Sequence, residues 1–331
     1  MRIPHLFRAP ASPSRLVVTL LSLLYWLIPV APAQAAWAGK DGAIAFMRSH
    51  NGKYDIWLAQ SSGEQRRLTA GPKSLNLSPN FSPNGQTIAY TRYSHWGDDG
   101  DIWLMNADGT DKRPLTRSEK SESEPHFFPG GRRLVFTVSD PPPVSDSGPL
   151  SIFSMRIDGS GLRRLAVHAK EPVISQDGRW LAYIRYGAGN GFVLEDLGSG
   201  ERRRLPNAWG GLDFSPDSTQ LLFTAQRSCG ARNLRLALLT IGVRDRHPRV
   251  LLRTCGKQFV PGRGAWSPSG HRIVFNRLEN LGTTPSGEGL AMVSVDGALI
   301  PGAPQRLPGK FGYDPAWQPL PSSPQHVPQS R

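Results

Sequence analysis

Two sets of residues in this sequence have the types and spacing to do chemistry. The first is ionisable. Glu124 and His126 lie two residues apart, and His95 lies close to Asp98, Asp99 and Asp101. Imidazole nitrogens beside carboxylate oxygens are donors that a divalent cation accepts. The plainer reading is a solvated acidic turn around His95 and an inner-strand histidine packed at a channel, with no cofactor. The second set is Cys229 and Cys255, the only two cysteines in the chain. No C-x-x-C and no histidine at ligand spacing accompanies them, so they read as a disulfide if the chain is exported. The closed loop of 26 residues would stabilise the fold by roughly 3.5 kcal/mol in the chain-entropy model. There is no G-x-S-x-G elbow, H-E-x-x-H helix, Walker loop or Rossmann fingerprint.

A channel needs a frame, and the frame is a repeat. One phrase recurs: an aromatic or apolar anchor, a tight turn of the type S-P-[DN]-G, then an apolar–small–aromatic triplet. The clearest copy is Pro79-Asn80-Phe81-Ser82-Pro83-Asn84-Gly85 followed by Ile88-Ala89-Tyr90. The anchors are Phe81, Phe127, Ile174, Phe214, Trp266 and Trp317, separated by 46, 47, 40, 52 and 51 residues. A second phrase follows each triplet, as in Asp101-Ile102-Trp103-Leu104, and in several copies an Asp-Gly turn comes next. A short basic strand then closes the unit, as in Arg66-Arg67-Leu68-Thr69 or Arg203-Arg204-Leu205.

Each unit is therefore four short β-strands. Pro pre-sets φ in the turn, Asn/Asp-Gly supplies positive φ, and the β-rich triplet packs a pleated face. Four strands per 40 to 52 residues is the signature of a propeller blade. The fold class expected is all-β: a six-bladed β-propeller of four-stranded blades. The first unit, from Asp41-Gly42-Ala43-Ile44, starts at strand two, and the last is an anchor, Trp317, with nothing after it. The C-terminal strand is therefore expected to join the N-terminal blade and close the ring. Trp57, Trp103, Trp266 and Trp317 are phased with the repeat and read as core.

These repeats resemble those of the TolB family, whose consensus is D-P-x-W-S-P-D-G-x-x-I-A-F followed by D-I-W-x-M-x-x-D-G. Asp314-Pro315-Ala316-Trp317 and Asp101-Ile102-Trp103-Leu104-Met105-Asn106-Ala107-Asp108-Gly109 carry the likeness, which covers roughly residues 40 to 320. The resemblance implies a periplasmic propeller that binds a protein of a Tol-Pal-like envelope system. The short stretch before the first strand leaves no room for the family's N-terminal α/β domain.

Composition sets the outer bounds. The 331 residues carry a net charge of +13, with 35 Gly and 30 Pro, a surplus over ordinary usage that argues against long helices. Nine Trp and 13 Phe are too many for disorder. Arg2, Arg8 and Arg15 precede the apolar run Leu16 to Val30, and Ala33-Gln34-Ala35 is a small-x-small cleavage site. Residues 1–35 read as a secretory signal peptide, 36–320 as the propeller, and 321–331 as a disordered Pro/Ser/Gln tail. No later stretch is apolar enough to span a bilayer.

The expected product is an exported, periplasmic or secreted monomer, a non-enzymatic scaffold for a protein or cell-envelope partner and not for nucleic acid. The alternative is a metal-assisted polysaccharide lyase or hydrolase with its site in the central channel. The loops between strands two and three share one face with the blade-to-blade connections, and they are the irregular ones. Candidate partner-binding residues there are Tyr93, His95, Trp96, Asp98, Asp99, Tyr186, Arg227 and Arg277; candidate channel residues are Glu124, His126, Glu171 and Asp314. The Arg residues on strand four read as protection of exposed blade edges.

Overall fold

The computed structural model describes residues 39–50, 53–71, 74–94, 99–139, 149–187, 191–205, 208–230, 234–255, 259–279, 288–301 and 312–321. All regular structure among them is β. The first blade combines β1 (Lys40–His50), β2 (Lys53–Ala59) and β3 (Gln65–Arg67) with the last strand, β23 (Gly312–Leu320). The second blade is β4 (Leu75–Phe81), β5 (Thr87–Tyr93), β6 (Gly100–Asn106) and β7 (Arg113–Pro114). The third is β8 (Ser121–Phe127), β9 (Arg133–Ser139), β10 (Leu150–Arg156) and β11 (Arg163–Val167). The fourth is β12 (Ala169–Ile174), β13 (Trp180–Arg185), β14 (Gly191–Asp196) and β15 (Arg202–Leu205). The fifth is β16 (Ala208–Phe214), β17 (Gln220–Ser228), β18 (Leu234–Gly242) and β19 (Arg249–Leu252). The sixth shows β20 (Phe259–Trp266), β21 (Arg272–Glu279) and β22 (Glu288–Ser294). Its expected fourth strand, Gln305–Leu307, lies outside the described residues, as do the expected signal segment and all of the tail but Pro321. The protein is a six-bladed β-propeller of antiparallel blades, five of them four-stranded and the sixth three-stranded among the described residues.

The repeat phrases have a local logic. In the S-P-[DN]-G turn the serine hydroxyl donates to the Asp or Asn two residues on, as Ser82 does to Asn84 at 2.7 Å, and accepts the amide five residues on, Thr87 at 2.9 Å. Ser175 and Ser215 repeat that geometry. In the D-I-W phrase Asp55 is buried because Thr69 and Asn76 donate to it at 3.1 and 3.2 Å and Arg67 pairs with it. Thr69 in turn accepts the Ile56 amide. The strand-four threonine thus locks the third strand, and Thr116 does the same for Ile102.

Six apolar clusters make the core, one at each seam between blades. Ile88 and Tyr90 face the first blade while Ala89, between them, faces the third. Both sides of each blade are buried, so the triplet needs an apolar residue at every position rather than at alternate ones. At the seam between the sixth and first blades, Ile44, Phe46, Val274, Met292 and Trp317 pack together. There β23 pairs with β1 through Ile44↔Trp317 and Ala45↔Ala316, the strand exchange expected from the sequence.

Two expectations need adjustment. Trp266 and Trp317 are core, but Trp57 and Trp103 are only partly buried, capped by Arg48 and Arg92 at 4.7 and 4.4 Å from the ring centroids. Not all strand-four arginines guard a free edge either. Arg66 donates to the Asp108 carbonyl of the next blade at 2.6 Å, and Arg203 donates to the Asp245 and Gly242 carbonyls of its neighbour. These arginines tie adjacent blades together.

Candidate functional site

Every innermost strand carries an irregularity three residues before its anchor. The pairing of β4 with β5 slips between Leu77 and Asn80, and that of β8 with β9 between Ser123 and His126; the other four blades slip at the equivalent place. The residue at the slip is Ser78, Glu124, Glu171, Gly211, Arg263 or Asp314. In Ser78, Glu124, Glu171 and Asp314 the backbone is left-handed, with φ between 47° and 55°. Such a conformation costs a non-glycine residue of order 1 kcal/mol or more, and here it turns the side chain off the sheet at a bulge.

These side chains converge in the central channel. Arg263 Nη2 lies 2.9 Å from Glu171 Oε1 and 3.3 Å from Glu124 Oε1, and its Nε lies 3.3 Å from Asp314 Oδ1. Glu124 Oε2 accepts from the Thr137 hydroxyl at 2.9 Å and from the Glu171 amide at 3.0 Å. Asp314 Oδ2 accepts from Ser78 at 3.2 Å. Arg263 therefore reaches from the sixth blade to the first on one side and to the third and fourth on the other. Gly211 makes that reach fit, since a Cβ there would sit 2.9 Å from the Arg263 Cα. Around the cluster runs a cavity of ≈150 Å³. The Arg263 side chain keeps 36% of its exposure, whereas the next residues along the strands, Pro79, Pro125, Pro172 and Pro315, are buried or nearly so. The strands begin beside the loops between strands two and three, as in Leu75↔Tyr93, and the cavity is lined from the bulges to Gln176, Pro268 and Pro319 beside the short turns between strands one and two.

The electrostatics follow from burial and crowding. Burial is the largest influence on Glu171 and pushes its pKa up to about 7; Arg263 pulls it down, and Glu124 pushes it up. Burial works against the charge on Arg263, but Asp314, Glu171 and Glu124 more than offset it, so its pKa lies above the usual range. Asp213 also lines the cavity. It accepts the Trp266 amide at 2.7 Å and the Phe214 amide at 3.0 Å, yet burial still raises its pKa to about 7.

Of the four expected channel residues, the structure brings Glu124, Glu171 and Asp314 together. His126 lines the same cavity but is buried, and desolvation lowers its pKa to about 4. Its Nδ1 lies 3.1 Å from the Phe127 carbonyl and 3.5 Å from the Ile174 amide, at the seam between two blades. Asn80 and Asp213, at the same repeat position, accept the anchor amide of the next blade. That position is a fastener between blades. Among the described residues no group of three or more His, Cys, Asp and Glu is placed to hold a metal ion.

On the loop-rich face, His95, Trp96 and Asp98 lie outside the described residues. Asp99 is exposed, and Tyr93 packs beside Gly100. The Tyr186 hydroxyl donates to the Leu150 carbonyl at 3.2 Å, and its ring meets His168 edge-on. Arg277 lies over Phe259 at 4.6 Å, and Arg227 donates to the Gln226 carbonyl at 3.0 Å. Cys229, after β17, and Cys255, after β19, form a disulfide on this face. Arg263, Ser78, Asp213 and Gly211 escaped the sequence reading. Counting back three residues from each anchor finds all of these but Asp213, which sits one residue before its anchor.

No curated protein matches the chain. TolB from Acinetobacter baumannii matches the structure with a TM-score of 0.63 at 18% identity, over 84% of this chain and 67% of that one. A chain of the nidogen/laminin complex matches at 0.59 and 14% identity, over 83% and 98%. Oligogalacturonate lyase from Vibrio parahaemolyticus matches at 0.51 and 10% identity, over 81% and 90%. At these identities the likeness is one of fold, and the fold serves binding proteins and an enzyme alike. The TolB beta propeller domain model matches residues 30–240, well over half the chain, and the chain belongs to that family.

Proposed function

We propose that this protein is an exported, non-enzymatic scaffold that engages a protein or cell-envelope partner through the loop-rich face of its propeller. The observation that carries this reading is the central cluster, where charged side chains from four blades meet on the axis of the ring. The loops of that face are irregular in sequence, and variable loops on a β scaffold are where recognition concentrates. A disulfide bracing two segments of the same face suits an oxidising compartment. The competing reading, a lyase or hydrolase for polysaccharide, fits less well where the polysaccharide is acidic. With Glu171 ionised, three carboxylates face the Arg263 guanidinium and the Lys170 ammonium, an excess of negative groups that disfavours a polyanion.

Affinity capture from periplasmic extract tests the scaffold, with Asp99→Lys plus Arg227→Glu as the loop-face variant and Gln86→Lys as the control on the short-turn face. One partner should be held by the wild type and the control and lost by the loop-face variant. Retention by the loop-face variant, or turnover of a polysaccharide by the purified protein, would overturn the reading.

A further inference from the structure

Arg263 differs from the five residues that share its place in the other blades. It is the only cation among them, and the only one whose backbone is not left-handed. The glycine at the equivalent place in the fifth blade, Gly211, clears its path. Its guanidinium holds Glu124, Glu171 and Asp314, and the Lys170 ammonium stands 3.9 Å from Glu171, so two cations face three carboxylates. A second observation points the same way. Gln176 is 7% exposed and lines the same cavity, and its Oε1 has no hydrogen-bond partner. A buried acceptor without a donor is costly to leave empty. An excess of carboxylates and an unused acceptor on one cavity together call for a ligand that brings hydrogen-bond donors and positive charge on a slender stem.

We propose that the channel is a seat for an arginine or lysine side chain presented by the protein partner, and that Arg263 occupies that seat from within in the free protein. This rests on the reading of the protein as a scaffold for a protein partner. An incoming guanidinium or ammonium replaces the ion pairs that Arg263 gives up, so the exchange loses no carboxylate partner and leaves no buried charge unpaired. Charge then selects the partner more than it tightens the complex.

Calorimetric titration tests the seat. The probes are the capped peptide Gly-Arg-Gly, the capped peptide Gly-Glu-Gly and agmatine, a free amine carrying the same guanidinium. Arg263→Ala should bind the arginine peptide at least tenfold more tightly than the wild type does, because the internal competitor is gone. Adding Glu171→Gln to that variant should reverse the gain, and the glutamate peptide should bind to neither. Equal affinity in wild type and Arg263→Ala, or binding indifferent to Glu171→Gln, overturns the proposal. Agmatine bound with the peptide rejected overturns it in favour of a small free amine. If Arg263→Ala does not fold by circular dichroism, Arg263→Gln keeps the stem and is held to the same comparison. Partner capture is read separately. A captured partner with no peptide binding sinks the seat alone, whereas peptide binding with no partner sinks the scaffold alone.

Discussion

Ring closure rests on one strand, and Trp317 is its largest buried side chain. It is 9% exposed, and it packs in the seam where the sixth blade meets the first, beside Ile44, Phe46 and Val274. Its indole N–H has no hydrogen-bond partner, so Trp317→Ala removes packing and nothing else. Burying most of an indole, about 200 Å² at roughly 25 cal/mol per Å², is an upper figure of about 5 kcal/mol. Core Trp→Ala changes cost about 3–5 kcal/mol. A loss of about 4 kcal/mol, against an unfolding entropy of roughly 0.6 kcal/mol per kelvin for a chain of this size, lowers the melting temperature by about 7 °C. Trp103, half-buried under Arg92 in an internal blade, provides the comparison, and Trp103→Ala should cost about half as much. Equilibrium urea unfolding followed by circular dichroism measures both. If Trp317→Ala costs less than Trp103→Ala, the closing strand does not carry the ring and the argument fails.

Gly211→Ala places a methyl 2.9 Å from the Arg263 Cα at a backbone φ of +70°, and should cost about 2–4 kcal/mol in urea unfolding. Gly63→Ala, at φ +88° with open space around it, should cost only about 1 kcal/mol. Reduction of Cys229–Cys255 should remove up to roughly 3.5 kcal/mol, and thiol titration should find two free thiols only after reductant is added. His126 has a folded pKa of about 4, below the ordinary 6.5. The unfolded chain binds the extra proton first, so its contribution is complete above pH 6.5 and is lost as pH falls toward 4. His126→Asn should flatten that part of the melting-temperature profile, and an unchanged acid limb would show that His126 is not its source.

The fold was legible because its signals are local and repeated. A Ser-Pro-Asn-Gly turn folds from its own hydrogen bonds, and an Ile-Ala-Tyr triplet is apolar because each blade is packed on both sides. Phase alone then set the blade count and the strand exchange at Trp317. Single residues were less legible. Trp57 and Trp103 follow the phase of the core, but their exposure depends on arginines one strand away. His126 read as a channel residue next to Glu124; its burial at a seam depends on the neighbouring blade.

The sequence by itself determined the six-bladed β-propeller and the strand that closes it, and it named the carboxylates Glu124, Glu171 and Asp314, with His126, as channel candidates. Only the tertiary structure decided what those carboxylates meet. Arg263 lies far along the chain from Glu124, in a repeat where Arg-Gly replaces the acidic-Pro pair; its phase puts it at the bulge position, but which carboxylates it reaches depends on the closed ring. Closing the ring brings the six bulges to one axis, and Gly211 leaves the gap through which Arg263 crosses it. Charges that are separate in sequence become one site because a propeller directs the same position of every blade at the same channel.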